Sequence, residues 1–365
     1  MFAKIAENIV KHSLSLKHGD KLNIIVKGQS QEPLGRAIEL VAKQSGIKTR
    51  FTFDDFDIFE TYSDEEFEKF IKLEAKAMST CDGCAIVSDF IPQKLSDKAK
   101  ERRNRFNKEV HMDIRLKKKW NLTSLPCREN CSSDEMHEEM LDTYIKACSI
   151  DYEKFSKAMD GLVKRLSKAD KVRIIAKDTD ISFSIKGLPS VKCIGLRNLP
   201  DGEVYTAPVR NSVNGYITYN LPIVGDGITH HNVHFEFKNG KIINESSDHT
   251  EELTKMLNID EGARYIGEFS FGLNPFIKNC YNNALYDEKI SGTIHFTPGA
   301  AYERCDNGNK SILHWDIVQS HTPEYGGGEI WIDGELIRKD GLFVVEDLKC
   351  LNPENLMEFM AENEI

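Results

Sequence analysis

"KLNIIVKGQSQEPLGRAIELVAKQSGIKTRFTF", residues 21–53, is the stretch that decides the fold of the N-terminal part of the chain. Its apolar run at residues 22–26 has the length of a buried strand, and Pro33 suits the first turn of a helix that ends near Gly46. A second extended run, "TRFTF", closes the stretch. A strand, a helix and a strand in this order indicate a parallel sheet with helices on its faces.

The same order continues downstream. Ser63 and Glu66 have capping-box spacing at the start of an amphipathic stretch, which leads to the apolar run "CAIVS" at residues 84–88. We therefore predict a flavodoxin-like or Rossmann-like α/β domain with a helical connection over residues 1–164. The glycines of "VKGQSQEPLG" do not form GxGxxG, so the pattern by itself predicts no dinucleotide site.

Beyond residue 165 the apolar residues alternate with polar ones. "VHFEFKNGKII", residues 233–243, and "GEIWIDGELIRKDGLFVV", residues 328–345, each contain Asn-Gly or Asp-Gly pairs that mark tight hairpins. This pattern predicts an antiparallel-rich α+β domain over residues 165–365. Two domains also agree with the length of 365 residues, which exceeds the ~250–300 residues at which a single core stops growing.

The charge balance limits the classes of partner. Lys and Arg total 48 against 58 for Asp and Glu, and a net charge of −10 argues against a nucleic-acid or membrane partner, so we expect a small molecule or peptide. The N-terminus lacks the apolar region of a signal peptide, which favours a cytoplasmic location. Nine cysteines without an export signal indicate reduced thiols rather than disulfides.

Two motifs suggest metal or redox chemistry but are better explained by structure. Cys81 and Cys84 in "CDGC" have the spacing of a redox pair or half a zinc site, yet Cys84 falls in a predicted buried strand and no second CxxC exists. His230, His231 and His234 in "THHNVHFEF" do not form HExxH and lie in a predicted strand. We interpret both groups as structural.

"SILHWDIV", residues 311–318, places His314 and Asp316 two positions apart in an apolar run, so in a strand both side chains would point to one face. Other acidic or imidazole side chains also adjoin apolar strand segments: Glu203, Glu268, Asp287, Glu288 and His295. Each by itself is also explained as a surface or hydrogen-bonded polar residue. Together they suffice for two divalent ions that share a bridging carboxylate, because bound cations compensate buried charge.

Five segments carry these residues: "NLPDGEVYTAPV", "YIGEFSFGLNP", "LYDEKISGTIHFTPGAAY", "ILHWDIV" and "GGGEIWIDGELIRKDGLF". In that order they closely resemble the core motifs of the thermophilic-type metallo-aminopeptidases, the AmpS/PepS family. The resemblance is strong over about residues 165–345 and looser through the N-terminal domain. The segments between Tyr302 and His314 and before His295 differ in length from some members, which affects loops more than ligands.

The resemblance implies a set of roles for residues of this chain. Glu268 would be a metal ligand and the catalytic base, and Tyr302 the catalytic tyrosine. The implied metal ligands are Glu203, Glu268, Glu288, His295, His314 and Asp316. The implied cofactors are two divalent metal ions (Zn, Co or Mn), the substrates peptides with a free N-terminus, and the assembly a homodimer.

Two other functions stay open at this point. Another two-metal hydrolase, such as a phosphoesterase, would use the same ligand types, because carboxylates and imidazoles do not specify the substrate. A catalytically silent α/β ligand-binding protein would hold neither a tightly bound metal nor a reactive water.

Overall fold

The computed structural model describes residues 1–53, 57–89 and 95–361. The chain forms two compact units, one of Met1–Ser149 with Gly195–Pro200 and one of Ile150–Ile194 with Asp201–Ile365. The division into domains of residues 1–164 and 165–365 stays a prediction, which limited proteolysis would test.

The described residues contain α-helices in both units. They are α1 (Ala3–Glu7), α2 (Glu32–Gln44), α3 (Asp57–Thr61), α4 (Asp64–Thr80), α5 (Asp97–Phe106), α6 (Asp134–Cys148), α7 (Tyr152–Ala158), α8 (Asp160–Leu166), α9 (Thr250–Leu257), α10 (Ala284–Asp287) and α11 (Pro353–Ala361). One π-helical turn (Asn8–Ser13) follows α1 and another (Asn107–Met112) follows α5. Across the described ranges, no helix is both long enough and apolar enough to cross a bilayer.

The strands are short and most of them lie in the second unit. They are β1 (Lys21–Lys27), β2 (Lys48–Phe53), β3 (Gly83–Ser88), β4 (Lys119–Thr123), β5 (Lys171–Ala176), β6 (Thr179–Ser184), β7 (Val191–Cys193), β8 (Asn198–Leu199), β9 (Glu203–Thr206), β10 (Asn214–Thr218), β11 (Ile223–Gly225), β12 (Ile228–His230), β13 (His234–Lys238), β14 (Lys241–Ser246), β15 (Ile266–Gly272), β16 (Thr293–Pro298), β17 (Val318–Ser320), β18 (Gly328–Ile332), β19 (Glu335–Lys339) and β20 (Leu342–Phe343).

The first unit is built on a parallel sheet with strand order β2-β1-β3-β4-β8. Helix α4 begins with the expected capping box, in which the Ser63 hydroxyl accepts from the Glu66 backbone N–H at 3.3 Å and the Glu66 carboxylate accepts from the Ser63 N–H at 2.8 Å. The order of the first four strands is that of flavodoxin-like sheets. The predicted α/β architecture of this part of the chain is confirmed.

Buried charges of the first unit find partners within the chain. Glu74 is 5% exposed, and its carboxylate accepts from the Arg50 guanidinium at 2.9 Å. Arg102 donates to the backbone carbonyls of Phe59 and Tyr62 at 3.1 and 2.7 Å and forms an ion pair with Asp64. These groups are ordinary structural pairs.

The two thiols of "CDGC" are free and buried in the first unit. Burial raises the pKa of Cys84 to about 12, so its thiol stays protonated and unreactive near neutral pH. Cys81 contacts the carbonyl oxygen of Met78 at 3.2 Å. This environment supports the structural interpretation of the motif.

The second unit contains two antiparallel sheets and one two-stranded ribbon, β11-β12. The larger sheet has the order β14-β13-β10-β6-β5-β18-β19-β20, and the smaller has the order β17-β16-β15-β9-β7. Phe183 of the larger sheet packs at 5.1 Å between ring centres against both Phe269 and Phe296 of the smaller sheet. The aromatic core therefore occupies one face of the smaller sheet, and the predicted antiparallel-rich α+β architecture is confirmed.

The hairpin signals identified in the sequence form turns. Asp333 has φ of 49° and Gly334 has φ of 85°, so both central residues of the β18–β19 turn are left-handed, as a two-residue turn of type I′ requires. The Asn239-Gly240 pair has the same signs between β13 and β14.

Candidate metal centre

Strand register places acidic and imidazole side chains on one face of the smaller sheet. In the antiparallel pairing, Ser270 lies opposite His295 on one side and opposite Tyr205 on the other. Glu268 pairs with Thr297 next to an irregularity in the register, and Gly272 pairs with Glu203. Side chains of directly paired residues share a face, so Glu203, Glu268 and His295 converge on the face opposite the aromatic core.

Residues 311–317 do not form the expected strand, and that prediction is wrong. Strand β17 begins only at Val318, and His314 makes an isolated bridge to Gly299. Backbone hydrogen bonds still join the segment to the end of β16, because the Ala300 N–H donates to the Leu313 carbonyl at 2.7 Å and the Trp315 N–H donates to the Pro298 carbonyl at 3.2 Å. Asp260 adds a side-chain contact by accepting from the Ile312 N–H at 2.7 Å.

His314 and Asp316 nevertheless point to the same side, as they would in a strand. Nε2 of His314 lies 3.3 Å from Oδ1 of Asp316, and Trp315 between them is turned into the interior. The two polar side chains therefore point the same way without a regular strand.

These side chains form two groups of three metal-competent ligands. Glu203, Glu268 and His295 make up the first group, in which Nε2 of His295 lies 3.1 Å from a carboxylate oxygen of each glutamate. Glu268, His314 and Asp316 make up the second, with Nε2 of His314 3.6 Å from Oε2 of Glu268. Within each group the ligand atoms lie within 4.8 Å of one another. Glu268 is common to both groups.

Buried polar atoms in the second group lack hydrogen-bond partners. Oε2 of Glu268 and Nε2 of His314 accept or donate no hydrogen bond within the described part of the chain. Nδ1 of His314 donates to the Ala300 carbonyl at 2.8 Å, which fixes a proton on that nitrogen and aims Nε2 at the carboxylates. Unpaired carboxylate oxygen and imidazole nitrogen at this spacing fit a divalent cation.

The carboxylates dominate the electrostatics of the face. Burial alone would lower the pKa of His295, but Glu203 and Glu268 outweigh it and raise the pKa to about 9. Burial alone would raise the pKa of Asp316, but His314 lowers it far below the usual range. Burial raises the pKa of Glu268, whose negative charge is therefore poorly compensated.

Glu288 belongs to neither group of three. It follows α10, and its carboxylate forms an ion pair with Lys289. Burial raises the pKa of Glu288 to about 8, with the neighbouring Asp316 and Glu203 adding to the shift against the attraction of Lys289. The structure thus places Glu288 beside the other acidic residues, in contact with a lysine.

Lys289 and Asp201 are parts of the centre that the sequence analysis missed. Lys289 is 1% exposed, and its Nζ lies 2.9 Å from Oε1 of Glu203 and 3.8 Å from Oδ1 of Asp201. The available signal was a lysine between an acidic pair and the apolar Ile290, a position where an unpaired ammonium would be costly.

Tyr302 lies at the edge of the centre. It is 48% exposed, and its ring centre is 4.4 Å from that of His314 and 5.7 Å from that of Tyr205. The following loop is anchored by Asn309, whose side-chain amide donates to the carbonyls of Gly299 at 2.6 Å and Gly262 at 2.8 Å.

The three histidines of "THHNVHFEF" make separate contacts. Nδ1 of His230 lies 3.2 Å from a serine hydroxyl, His231 pairs with Asp248 at 2.8 Å, and His234 pairs with Thr218 at 2.7 Å. None of the groups of three metal-competent ligands among the described residues includes them.

Sequence comparison relates the chain to metalloproteases. A family model described as thermophilic metalloprotease (M29) matches residues 1–341. Aminopeptidase AmpS of Bacillus subtilis is 28% identical over 136 residues, which cover 35% of this chain and 32% of AmpS. Aminopeptidase T of Thermus thermophilus is 30% identical over 154 residues, which cover 38% of this chain and 36% of that protein. The matches to these two relatives span about a third of their length.

A longer match joins the chain to aminopeptidase 2 of Geobacillus stearothermophilus, at 24% identity and covering 93% of this chain and 94% of that protein. Among solved structures, wild-type AmpT from Thermus thermophilus superposes with a TM-score of 0.76 at 18% identity, covering 94% of this chain and 98% of that one. A 2,5-dihydroxypyridine dioxygenase from Pseudomonas putida KT2440 gives 0.61 at 14% identity, covering 95% and 98%. At these identities the superpositions establish a shared fold.

Proposed function

The chain belongs to the thermophilic metalloprotease family M29, and on that premise we propose that it is a metal-dependent aminopeptidase. It would hydrolyse the first peptide bond of peptides with a free N-terminus. The observation that carries the proposal is the pair of ligand groups that share Glu268 on one face of the smaller sheet. A shared carboxylate between two sets of ligands is the arrangement that two-metal hydrolases need.

Charge balance supports two ions rather than one. Lys289 supplies one positive charge among four buried carboxylates and one partly buried carboxylate, which belong to Asp201, Glu203, Glu268, Glu288 and Asp316 respectively. Metal binding would leave both imidazoles neutral and all five carboxylates ionised, and the resulting net charge of minus four is what two divalent cations would cancel. Zn, Co and Mn all suit mixed imidazole and carboxylate ligands.

When bound, such ions lower the pKa of a water molecule and polarise the scissile carbonyl. The proposed ligands are Glu203, Glu268, Glu288, His295, His314 and Asp316. Glu288 would join them only by sharing its carboxylate with Lys289, and the metal content of Glu288→Gln tests that assignment.

Glu268 would also act as proton shuttle. As the carboxylate common to both ligand groups, it would take a proton from the attacking water and return it to the departing amine. Tyr302 would donate its hydroxyl hydrogen to the oxygen of the tetrahedral intermediate. Its half-exposed side chain beside His314 can be reached from solvent.

A homodimer remains part of the proposal, and light scattering of the purified protein tests it. No second activity is proposed from the dioxygenase, because that likeness concerns the fold.

The test is hydrolysis of a set of aminoacyl p-nitroanilides by metal-stripped protein, before and after addition of Zn, Co or Mn, with N-acetylated substrates as controls. We expect activity that the metal restores and that is confined to free amino termini. Phosphate esters in the same panel separate the phosphoesterase alternative. Tight metal binding without peptide hydrolysis would overturn the aminopeptidase proposal, and no metal binding at all would favour the silent ligand-binding protein.

A further inference from the structure

We propose that Lys289 is a positioning residue that acts as an internal cation: its ammonium fills a third group of metal-competent ligands and thereby limits the centre to two metal ions. The inference rests on the proposed function, since it concerns the same centre. It assigns a role to a residue that is neither a metal ligand nor a group that contacts substrate.

The third group consists of Cys193, Asp201 and Glu203, whose ligand atoms lie within 4.8 Å of one another. A thiol and two carboxylates at this spacing would bind a borderline or soft divalent ion such as Zn, Co or Cd. Lys289 lies against two of its members, Asp201 and Glu203, whereas it contacts only Glu203 of the first group and no member of the second.

Lys289 carries its positive charge in a fully buried position. Its Nζ is 2.9 Å from Oε1 of Glu203 and 3.8 Å from Oδ1 of Asp201, and it also pairs with Glu288. The ammonium therefore lies against two of the three ligands of the group. It supplies the compensating charge that a metal ion would otherwise bring.

The contact also orients Glu203. Oε1 of this carboxylate accepts from Lys289, while Oε2 accepts from the Ser270 hydroxyl at 3.0 Å and faces Nε2 of His295 at 3.1 Å. One oxygen is thus committed to the ammonium and the other to the first ligand group. Removing the ammonium would release Oε1 toward Cys193 and Asp201.

The experiment compares Lys289→Met with Lys289→Arg, which keeps the positive charge. Both variants and the unmodified protein are loaded with Co²⁺, and two quantities are measured: ions bound per chain and the thiolate-to-cobalt charge-transfer band in the near ultraviolet. We expect two ions and no band for the unmodified protein and Lys289→Arg. We expect a third ion and a thiolate band for Lys289→Met.

The double variant Lys289→Met/Cys193→Ser should lose the band, which assigns the thiolate to Cys193. If Lys289→Met fails to fold, Lys289→Gln, which is polar but uncharged, takes its place in the same comparison. Two ions and no thiolate band in the uncharged variant would overturn the inference while leaving the proposed function intact. If the unmodified protein binds no cobalt, the proposed function fails first.

Discussion

Buried charge is arranged differently in the two units of this molecule. In the first unit the carboxylate of Glu74 is matched by Arg50, and Arg102 is matched by two backbone carbonyls and Asp64. In the second unit several carboxylates converge around a single lysine. Because uncompensated buried charge is costly, the first arrangement is complete as it stands, whereas the second relies on Lys289 and on histidines whose pKa the carboxylates raise, which is the setting proposed above for metal ions. Counting charges thus separates the structural ion pairs of the first unit from the candidate metal centre of the second.

The largest effect on activity is expected from Glu268→Gln, which tests the contrast between the two units. Loss of the shared carboxylate should lower kcat with aminoacyl p-nitroanilides by roughly 10³- to 10⁴-fold. The free energy of unfolding of the metal-free protein should rise, because burial raises the pKa of Glu268 and its charge opposes folding. Steady-state kinetics and urea unfolding measure the two quantities.

Glu74→Gln is the matched control in the first unit. It should leave kcat unchanged and lower the free energy of unfolding by about 1–3 kcal/mol, because Arg50 loses its partner. Near-native turnover of Glu268→Gln with metal bound would show that Glu268 has no catalytic role. If Glu268→Gln and Glu74→Gln lowered the free energy of unfolding equally, the two units would not differ in how they compensate buried charge.

Tyr302→Phe separates catalysis from metal binding at the candidate metal centre, because it removes a hydroxyl that is not a proposed metal ligand. We expect kcat to fall by roughly 10²- to 10³-fold while KM and the number of bound metal ions stay unchanged. Tyr216→Phe is the control, since Tyr216 is similarly exposed, at 44% against 48%, but lies on β10 of the larger sheet. A loss of bound metal in Tyr302→Phe would show that the tyrosine supports the ligands instead.

Each unit contains a buried histidine whose pKa is shifted, and the two shifts have opposite signs. Burial lowers the pKa of His111 to about 3 in the first unit, whereas the carboxylates raise that of His295 to about 9 in the second. Between pH 6.5 and 3 the unfolded chain therefore binds a proton at His111 that the folded chain does not, so the free energy of unfolding falls as the pH falls through that range. The contribution is at most about 5 kcal/mol.

Replacing His111 by Phe should flatten the pH dependence of unfolding over that range. Urea unfolding at several pH values between 7 and 3.5 provides the measurement, with the unmodified protein as reference. Parallel curves for the two proteins would contradict the neutral state of His111.

The smallest effect is expected at the "CDGC" motif. Cys81→Ser and Cys84→Ala should leave kcat and metal content unchanged, because both thiols are buried in the first unit. Only a loss of about 1–2 kcal/mol in the free energy of unfolding is expected, from the lost packing. A thiol reagent should modify neither residue in the folded protein, and rapid modification would revive the redox interpretation.

The architecture of both units could be predicted from the sequence because its signals are local. The apolar run before Pro33, the Ser63–Glu66 spacing and the Asp333-Gly334 turn each act within a few residues, and each forms the structure expected of it. The candidate site residues came from short motifs and from a family resemblance, and their roles remain predictions.

The features that local sequence patterns did not predict depend on tertiary contacts. The strand expected around His314 is reduced to an isolated bridge to Gly299, although backbone hydrogen bonds still join this segment to the end of β16. Lys289 was missed because its burial follows from the pairing of β9, β15 and β16, which brings Glu203 to it. A lysine next to a glutamate is common in sequences, and it indicates a functional site only when the fold buries both side chains.

The hydrogen bonds that anchor the loop after Tyr302 determine what an insertion in this loop would change. Asn309 bonds to two distant carbonyls, and Asn307 donates to the carbonyls of Pro208 at 2.7 Å and Ile266 at 2.8 Å. Because both anchors follow Tyr302 in the chain, an insertion between Tyr302 and Asn307 would leave their hydrogen bonds in place and displace mainly the tyrosine. The length of the connection between Tyr302 and Asn307 would therefore set where the tyrosine lies relative to His314, so an engineered insertion there would move the tyrosine while the asparagines keep the rest of the loop in place.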